Sequence, residues 1–500
     1  MKIFITGFLL FIFSLTAFAQ TASVDAELRQ AVELIKSNQA AQAETMLRQV
    51  LKKDSRNINA NYLLGTLLIQ TKRAEEGAQK LEYVLKLQPS HLQANYNLAL
   101  MYAASGENKK ALPFLEKAAR ISSATKLPTT EDFTLLTALT RGYIADGQLE
   151  KAQKIVELIE SANSGDIRVQ FTGGLLNAEL GNYKKAVAVF QKINSERPGS
   201  FEILYNLGVA YYNLDNYEKA REFLLNALTL NPANPEVYYR LGLIYSAQND
   251  SDGAVSFWLR ALEYNPAYHE VNFLIGEELI KNKKLSGALP FYKKAVELEP
   301  ERVLYQLRYG VTNFRLQRYG EARKVFSQMI EKYPDDPNFN YLMGYLSRAE
   351  GLYDEAIEHF NKVLKVNPDN PDVLASLGFI AVERGEYDKA EQILRKTIKL
   401  DERSFPAYYD LGRLLNRQKK YAEALPFLEK GAEITKEDPS IRYQLFLAYS
   451  RLNEKEKAKE AFTEFKRLEK IYNQGGKDPA TSGDLAKELP DSVDKLKDLP

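Results

Sequence analysis

The sequence predicts an all-α fold, a solenoid of thirteen helix–turn–helix repeats, on three observations. A 34-residue pattern recurs from Val24 to Tyr472. Small residues return at fixed places within it. Apolar residues spaced three and four apart, the helical period, occur in two stretches per repeat. Repeats start at Val24, Ile58, Leu92, Phe133, Ile167, Phe201, Pro235, His269, Val303, Pro337, Pro371, Phe405 and Pro439. A seven-residue insertion, Lys126 to Asp132, makes the single break in phase and is expected to form a longer inter-repeat loop. A period this short belongs to a stacked array, in which each repeat buries its apolar face only against its neighbours.

Position 8 of the first helix is glycine in nine repeats: Gly65, Gly174, Gly208, Gly242, Gly276, Gly310, Gly344, Gly378 and Gly412. Glycine inside a helix costs about 1 kcal/mol relative to alanine, so its recurrence implies close approach of a second helix. Position 20 of the second helix is alanine in every repeat but one, where Gly77 stands; the small residues at 8 and 20 are expected to face each other. The helices part near position 15, where Gly106, Gly147, Gly181, Gly351 and Gly385 can take the left-handed conformation that ends a helix. The second helix ends before Pro89, Pro198, Pro232, Pro266, Pro300, Pro334 and Pro368, because proline cannot continue the hydrogen-bond ladder. Pro113, Pro290 and Pro426 are placed in the first turn of the second helix, where a missing N–H costs least.

This pattern resembles the tetratricopeptide repeat family. One repeat carries it as Leu204, Leu207, Gly208, Tyr211, Ala220, Ala227 and Pro232, and the next as Tyr238, Leu241, Gly242, Tyr245, Ala254, Trp258, Ala261 and Pro266. The resemblance covers residues 24–472 and implies a right-handed superhelical solenoid whose first helices line a concave groove. Ala31, Ala99, Thr140 and Phe446 depart from it at the glycine position.

Residues 1–19 read as a signal peptide: Lys2, an apolar run from Ile3 to Leu15, then Ala17-Phe18-Ala19 before a cut ahead of Gln20. The run is short against the roughly 20 residues that cross a bilayer, so no transmembrane segment is expected after cleavage. No cysteine is present, which excludes disulfides, thiol chemistry and a lipidated cysteine. The expectation is bacterial export to the periplasm or medium. Without Lys2 the chain holds 66 basic and 66 acidic residues, so nucleic acid is not an expected partner. From Asn473 the pattern gives way to a turn-rich, charged stretch, and 473–500 is expected to be a flexible tail in which Asp484 to Leu489 could add a helical turn.

No catalytic, cofactor or metal site is expected. His91, His269 and His359 lie in separate repeats and read as linker or surface residues, and Glu277-Glu278 as a solvated face. Trp258 reads as core.

Recognition is expected at the inward positions 2, 5, 9, 12 and 13 of the first helices. Position 5 is aromatic in nine repeats, among them Tyr62, Tyr205, Phe273, Tyr341, Tyr409 and Tyr443. Such rings either pack between helices or form a ladder of amphipathic contacts. Toward the C-terminus arginines join them, and the candidate groove site is Tyr341, Tyr345, Arg348, Tyr409, Arg413, Arg417, Tyr443 and Arg451, with Arg315 nearby. Guanidinium groups facing solvent would fork to carboxylates and stack on rings, which suits an acidic or aromatic-bearing protein segment. The asparagine that family members use at position 9 to grip a terminal carboxylate is absent. The expected function is a non-catalytic interaction scaffold of the cell envelope; the alternative, implied by similar exported proteins, is polysaccharide binding in exopolysaccharide secretion or outer-membrane assembly.

Overall fold

The computed structural model describes residues 19–122, 130–161 and 165–474, and among them holds 26 α-helices and no strand. The signal-peptide residues before Ala19, residues 126–129 of the insertion and the tail from residue 475 lie outside the described residues. In chain order the helices are α1 Ala19–Lys36, α2 Ala40–Lys53, α3 Ile58–Gln70, α4 Ala74–Leu87, α5 Leu92–Ala104, α6 Asn108–Ser122, α7 Thr130–Ala145, α8 Leu149–Ser161, α9 Ile167–Glu179, α10 Tyr183–Glu196, α11 Phe201–Tyr212 and α12 Tyr217–Leu230. They continue as α13 Pro235–Ala247, α14 Ser251–Tyr264, α15 His269–Lys281, α16 Leu285–Leu298, α17 Val303–Arg315, α18 Tyr319–Lys332, α19 Pro337–Ala349, α20 Tyr353–Val366, α21 Pro371–Glu383, α22 Tyr387–Leu400, α23 Phe405–Arg417, α24 Tyr421–Ile434, α25 Pro439–Arg451 and α26 Lys455–Gln474. Odd-numbered helices are the first of each repeat and even-numbered ones the second. Contacts divide the chain into two compact units, Met1–Arg240 and Leu241–Pro500.

Every repeat turns on one left-handed residue at position 15. Gly106, Gly147, Gly181, Gly351 and Gly385 hold it as expected, and Asn38, Lys72, Asp215, Asn249, Lys283, Gln317, Lys419 and Asn453 hold it in the other eight repeats, all with φ between 56° and 78°. The next residue then donates its N–H back to the carbonyl of position 11, as in Asp250 to Tyr245, Leu352 to Ser347 and Lys420 to Leu415, and this bond is 2.8–3.0 Å in all thirteen repeats. That is the Schellman closure, which satisfies carbonyls the helix end would otherwise leave bare.

The glycines at position 8 make room chiefly for position 24, while the expected approach to position 20 is seen where Gly65 faces the Gly77 carbonyl and Gly208 that of Ala220. A Cβ on Gly242 would stand 2.3 Å from Trp258 Nε1, one on Gly344 2.6 Å from Phe360 Cε1, and one on Gly412 2.3 Å from Leu428 Cδ2. Position 24 carries the large side chains of the core, from Leu47 through Trp258 and Tyr292 to Leu428 at no more than 1% exposure. Burying each such side chain stabilises by about 1.5–3 kcal/mol.

Position 11 tyrosine ties one repeat to the preceding one. Tyr102 and Tyr143 donate to the carboxylates of Glu82 and Glu116, both at 2.9 Å, and Tyr449 to that of Glu429 at 2.6 Å. A lysine ammonium stands over each ring, Lys110, Lys151 and Lys457 at 5.2–5.9 Å from the centroid. Polar residues at position 4 close the turn between repeats: Asn95, Tyr238 and Asn340 donate to the carbonyls of Pro89, Pro232 and Pro334.

Three expectations change. Pro113, Pro290 and Pro426 each occupy the sixth residue of their helix, in its second turn. Thr130, Glu131 and Asp132, expected in an inter-repeat loop, begin α7. Asn473 and Gln474, expected to open the tail, belong to α26, which at 20 residues outruns the 13 to 15 of the other second helices.

Candidate functional site

The eight candidate residues all lie on first helices of the second compact unit: Tyr341, Tyr345 and Arg348 on α19, Tyr409, Arg413 and Arg417 on α23, and Tyr443 and Arg451 on α25. Their surroundings separate them into two groups. Tyr341, Tyr345 and Arg348 are buried. The Tyr341 and Tyr345 rings sit 4.7 Å apart, and Tyr345 meets Phe360 edge-on at 5.5 Å. Tyr345 also donates its hydroxyl to the Asp372 carbonyl at 3.3 Å.

A column of alternating rings and guanidinium groups runs across α19, α21 and α23. Arg348 lies 4.9 Å from the Tyr345 ring centre and 5.2 Å from that of Phe379. Arg413 lies 5.4 Å from Phe379 on its side and 5.8 Å from Tyr409. Arg413 is further fixed by Glu383 at 2.8 Å and Asp410 at 2.9 Å, and Arg348 by a bond to Ser376 Oγ at 3.2 Å. Burial opposes the Arg413 charge, yet Asp410 and Glu383 raise its pKa above the ordinary value. Arg348 and Arg413, expected to face solvent, are therefore structural: they hold three first helices together through desolvated cation–π contacts. Phe379, Glu383 and Asp410 complete the column and were not among the expected site residues. Asp410 precedes Arg413 by three positions, a helical pairing visible in sequence; Glu383 lies 30 residues before it and carries no local signal.

What remains accessible is Arg417, Tyr443 and Arg451. Arg417 shares Glu383 with Arg413 at a longer 3.5 Å. Arg451 is exposed and has no ion pair among the described residues. Tyr443 is 40% exposed, and of the aromatic residues at position 5 it alone is exposed; Tyr239 and Tyr341 are buried and the others half-buried. The ring ladder is thus mainly interhelical packing.

The glutamate pair and the three histidines singled out in the sequence all have internal partners. Glu278 is buried and accepts hydrogen bonds from Ser246 at 2.8 Å, Ser251 at 2.5 Å and Lys281 at 2.9 Å, which overcome the cost of burial and lower its pKa. Glu277 accepts from Tyr292 at 2.5 Å and pairs with Arg308 at 3.0 Å, so the two glutamates serve different contacts. His359, expected at the surface, is buried and bonds Asn340 Oδ1 at 2.9 Å through Nδ1, and burial lowers its pKa. His91 accepts the Ala94 N–H at the start of α5, and His269 bonds Tyr305. Among the described residues no cluster of three or more His, Asp or Glu could hold a metal ion, and no helix is long and apolar enough to cross a membrane.

Families described as tetratricopeptide repeat match residues 28–89, 75–124, 201–234, 223–256, 279–345, 347–415 and 407–437. These matches span more than half of the sequence, and the chain belongs to the tetratricopeptide repeat family. Among solved structures it is similar to a tetratricopeptide repeat protein from Parabacteroides merdae, at 18% identity and a TM-score of 0.41 over 52% of this chain and 99% of that one. It is similar also to a chain of the APC/C hetero-tetramer Cut9–Hcn1, at 14% identity and a TM-score of 0.43 over 94% of this chain and 98% of that one, and to yeast Tom70, at 15% and 0.31 over 94% and 99%. No curated protein matches the sequence. Proteins of this family bind other proteins.

Proposed function

We propose that the chain is a non-catalytic interaction scaffold of the bacterial cell envelope, and that the first-helix face of α23 and α25 receives a segment of a partner protein. The observation that carries this reading is the exposure of Arg417, Tyr443 and Arg451 on that face. Arg417 reaches the column through Glu383, and Tyr443 rests on Phe446 and Phe465. A helical support spares the cost of ordering backbone on binding, and guanidinium groups select carboxylates. The envelope assignment rests on the signal-like residues 1–19.

The test is crosslinked capture from envelope extracts with the mature chain and with Arg417→Glu combined with Arg451→Glu. The expected result is one enriched protein, lost in the double variant and weakened by salt as the screening length shrinks from about 10 Å at 0.1 M to about 3 Å at 1 M. Equal capture by a folded double variant overturns the site. Selective binding of an acidic polysaccharide in place of protein overturns the partner class. A chain whose mass still begins at Met1, recovered from the cytoplasm, overturns the envelope assignment.

A further inference from the structure

The last repeat breaks the packing rule of the other twelve. Position 24 is buried to within 1% in each of them, yet Phe462, which holds it in the thirteenth, is 39% exposed. The cause is local as well as terminal. Phe446 replaces the glycine that elsewhere makes room for this side chain, so the rings of Phe446 and Phe462 meet at 4.9 Å and Phe462 stays outward. Phe465 joins them at 6.1 Å from Phe462, and Tyr443 lies 5.4 Å from Phe465.

Phe462 also sits in a charged stripe. Lys455, Lys459, Phe462, Lys466 and Lys470 follow one another at spacings of four and three along α26, which places them on one face of the helix, and all five are exposed. Lys466 pairs with Glu469 and stands 5.7 and 5.4 Å from the rings of Phe462 and Phe465. Lys455, Lys459 and Lys470 have no ion pair among the described residues. End repeats of such arrays ordinarily finish in a polar face; here apolar rings stay at the centre of the cations.

We propose that this stripe of α26 is a docking surface, adjoining the first-helix face at Tyr443 but independent of Arg417 and Arg451, for an acidic amphipathic helix of a partner protein. The partner places apolar residues three or four apart on Phe462 and Phe465, and Asp or Glu on either side against the lysines. Charge selects this occupant. If two copies of the stripe are laid together, lysine meets lysine in either direction, Lys455 on Lys470 and Lys459 on Lys466 when antiparallel, so self-association through it is repelled. A membrane surface is disfavoured by Glu456 and Glu460, exposed on the adjoining face of the same helix. A helix docked through spaced apolar anchors is an established recognition mode, and the acidic flanks add charge complementarity to ring burial.

Fluorescence anisotropy with the full chain tests this, using two synthetic amphipathic helical peptides that share a leucine stripe and carry glutamate or lysine on the flanks. The expected result is binding of the glutamate peptide alone, weakened at least tenfold by Lys459→Glu with Lys466→Glu and by Phe462→Ser, and unaltered by Arg417→Glu with Arg451→Glu. Circular dichroism of the lysine variant, whose changed residues are exposed, checks the fold. Equal binding of the two peptides, or unchanged affinity in the folded lysine variant, overturns the proposal. Three other outcomes overturn it by naming another occupant: tighter binding to phosphatidylserine vesicles, dimerisation lost on Phe462→Ser, and peptide binding seen only after removal of residues 475–500.

Discussion

Arg413 and Arg451 look alike in sequence, each an arginine among inward positions near a tyrosine, and the fold gives them opposite roles. Arg413 neutralises the buried Asp410 and shares Glu383, so Arg413→Glu leaves carboxylates facing one another in a desolvated place. The expected cost is about 3 kcal/mol, as when one partner of a buried ion pair is removed. Arg451→Glu should shift stability by no more than about 0.5 kcal/mol, the range of surface changes; urea unfolding of the two variants compares them. Tyr102 supplies a pH test. Burial first, and the bond to Glu82 second, push its hydroxyl up to about 12, above the value near 10 of an unfolded tyrosine. A folded-state pKa above the unfolded one means the contribution is fully present below about pH 10 and is lost as pH rises through about 12. Tyr102→Phe should therefore lose less stability than the wild type between those limits, and parallel denaturation curves over that range would contradict it. The candidate residues were legible as types at inward positions. Their burial was not, because it depends on Phe379 and Glu383, whose relation to Arg348 and Arg413 appears only once neighbouring first helices are packed.

The turn inside each repeat is an element whose rule was half visible. Five glycines at position 15 pointed to a left-handed residue, while Lys72, Lys283, Gln317 and Lys419 at the same place gave no composition signal. The thirteen matching Schellman bonds explain why the conformation persists without glycine: the closing hydrogen bond and the packing of both helices over-determine it. A side chain there pays for a contact between Cβ and backbone that glycine avoids. Lys283→Gly is accordingly expected to stabilise by about 0.5–1 kcal/mol, and Gly385→Ala to destabilise by about 1 kcal/mol. Thermal unfolding of the pair decides the matter, and shifts of the same sign would remove the argument. Asn249 and Asn453 should gain less from glycine, since asparagine tolerates the left-handed region better than lysine.

Within each compact unit, the substantial helix contacts join elements one or two places apart in chain order, so the stability of each is expected to behave as a chain of nearest-neighbour terms. The 34-residue period made that architecture legible, together with helix order and most helix ends. It did not reveal that position 8 pairs with position 24, because both the small residue at 8 and the small residue at 20 satisfied the same sequence argument. Gly344→Ala tests the pairing and the locality together. Its added Cβ would stand 2.6 Å from Phe360 Cε1, and Phe360 is fully buried against Tyr345, so it has nowhere to retreat. Overpacking of about 1–3 kcal/mol should outweigh the helix-propensity gain of about 1 kcal/mol. Gly320→Ala, in the first turn of α18 with nothing within 4 Å of the new Cβ, should have the opposite sign, stabilising by about 0.5–1 kcal/mol. Amide hydrogen exchange in Gly344→Ala should rise over α19, α20 and α21 while α25 and α26 keep their protection. A uniform loss of protection through the second compact unit would mean its repeats unfold as one cooperative body and not as neighbours in series.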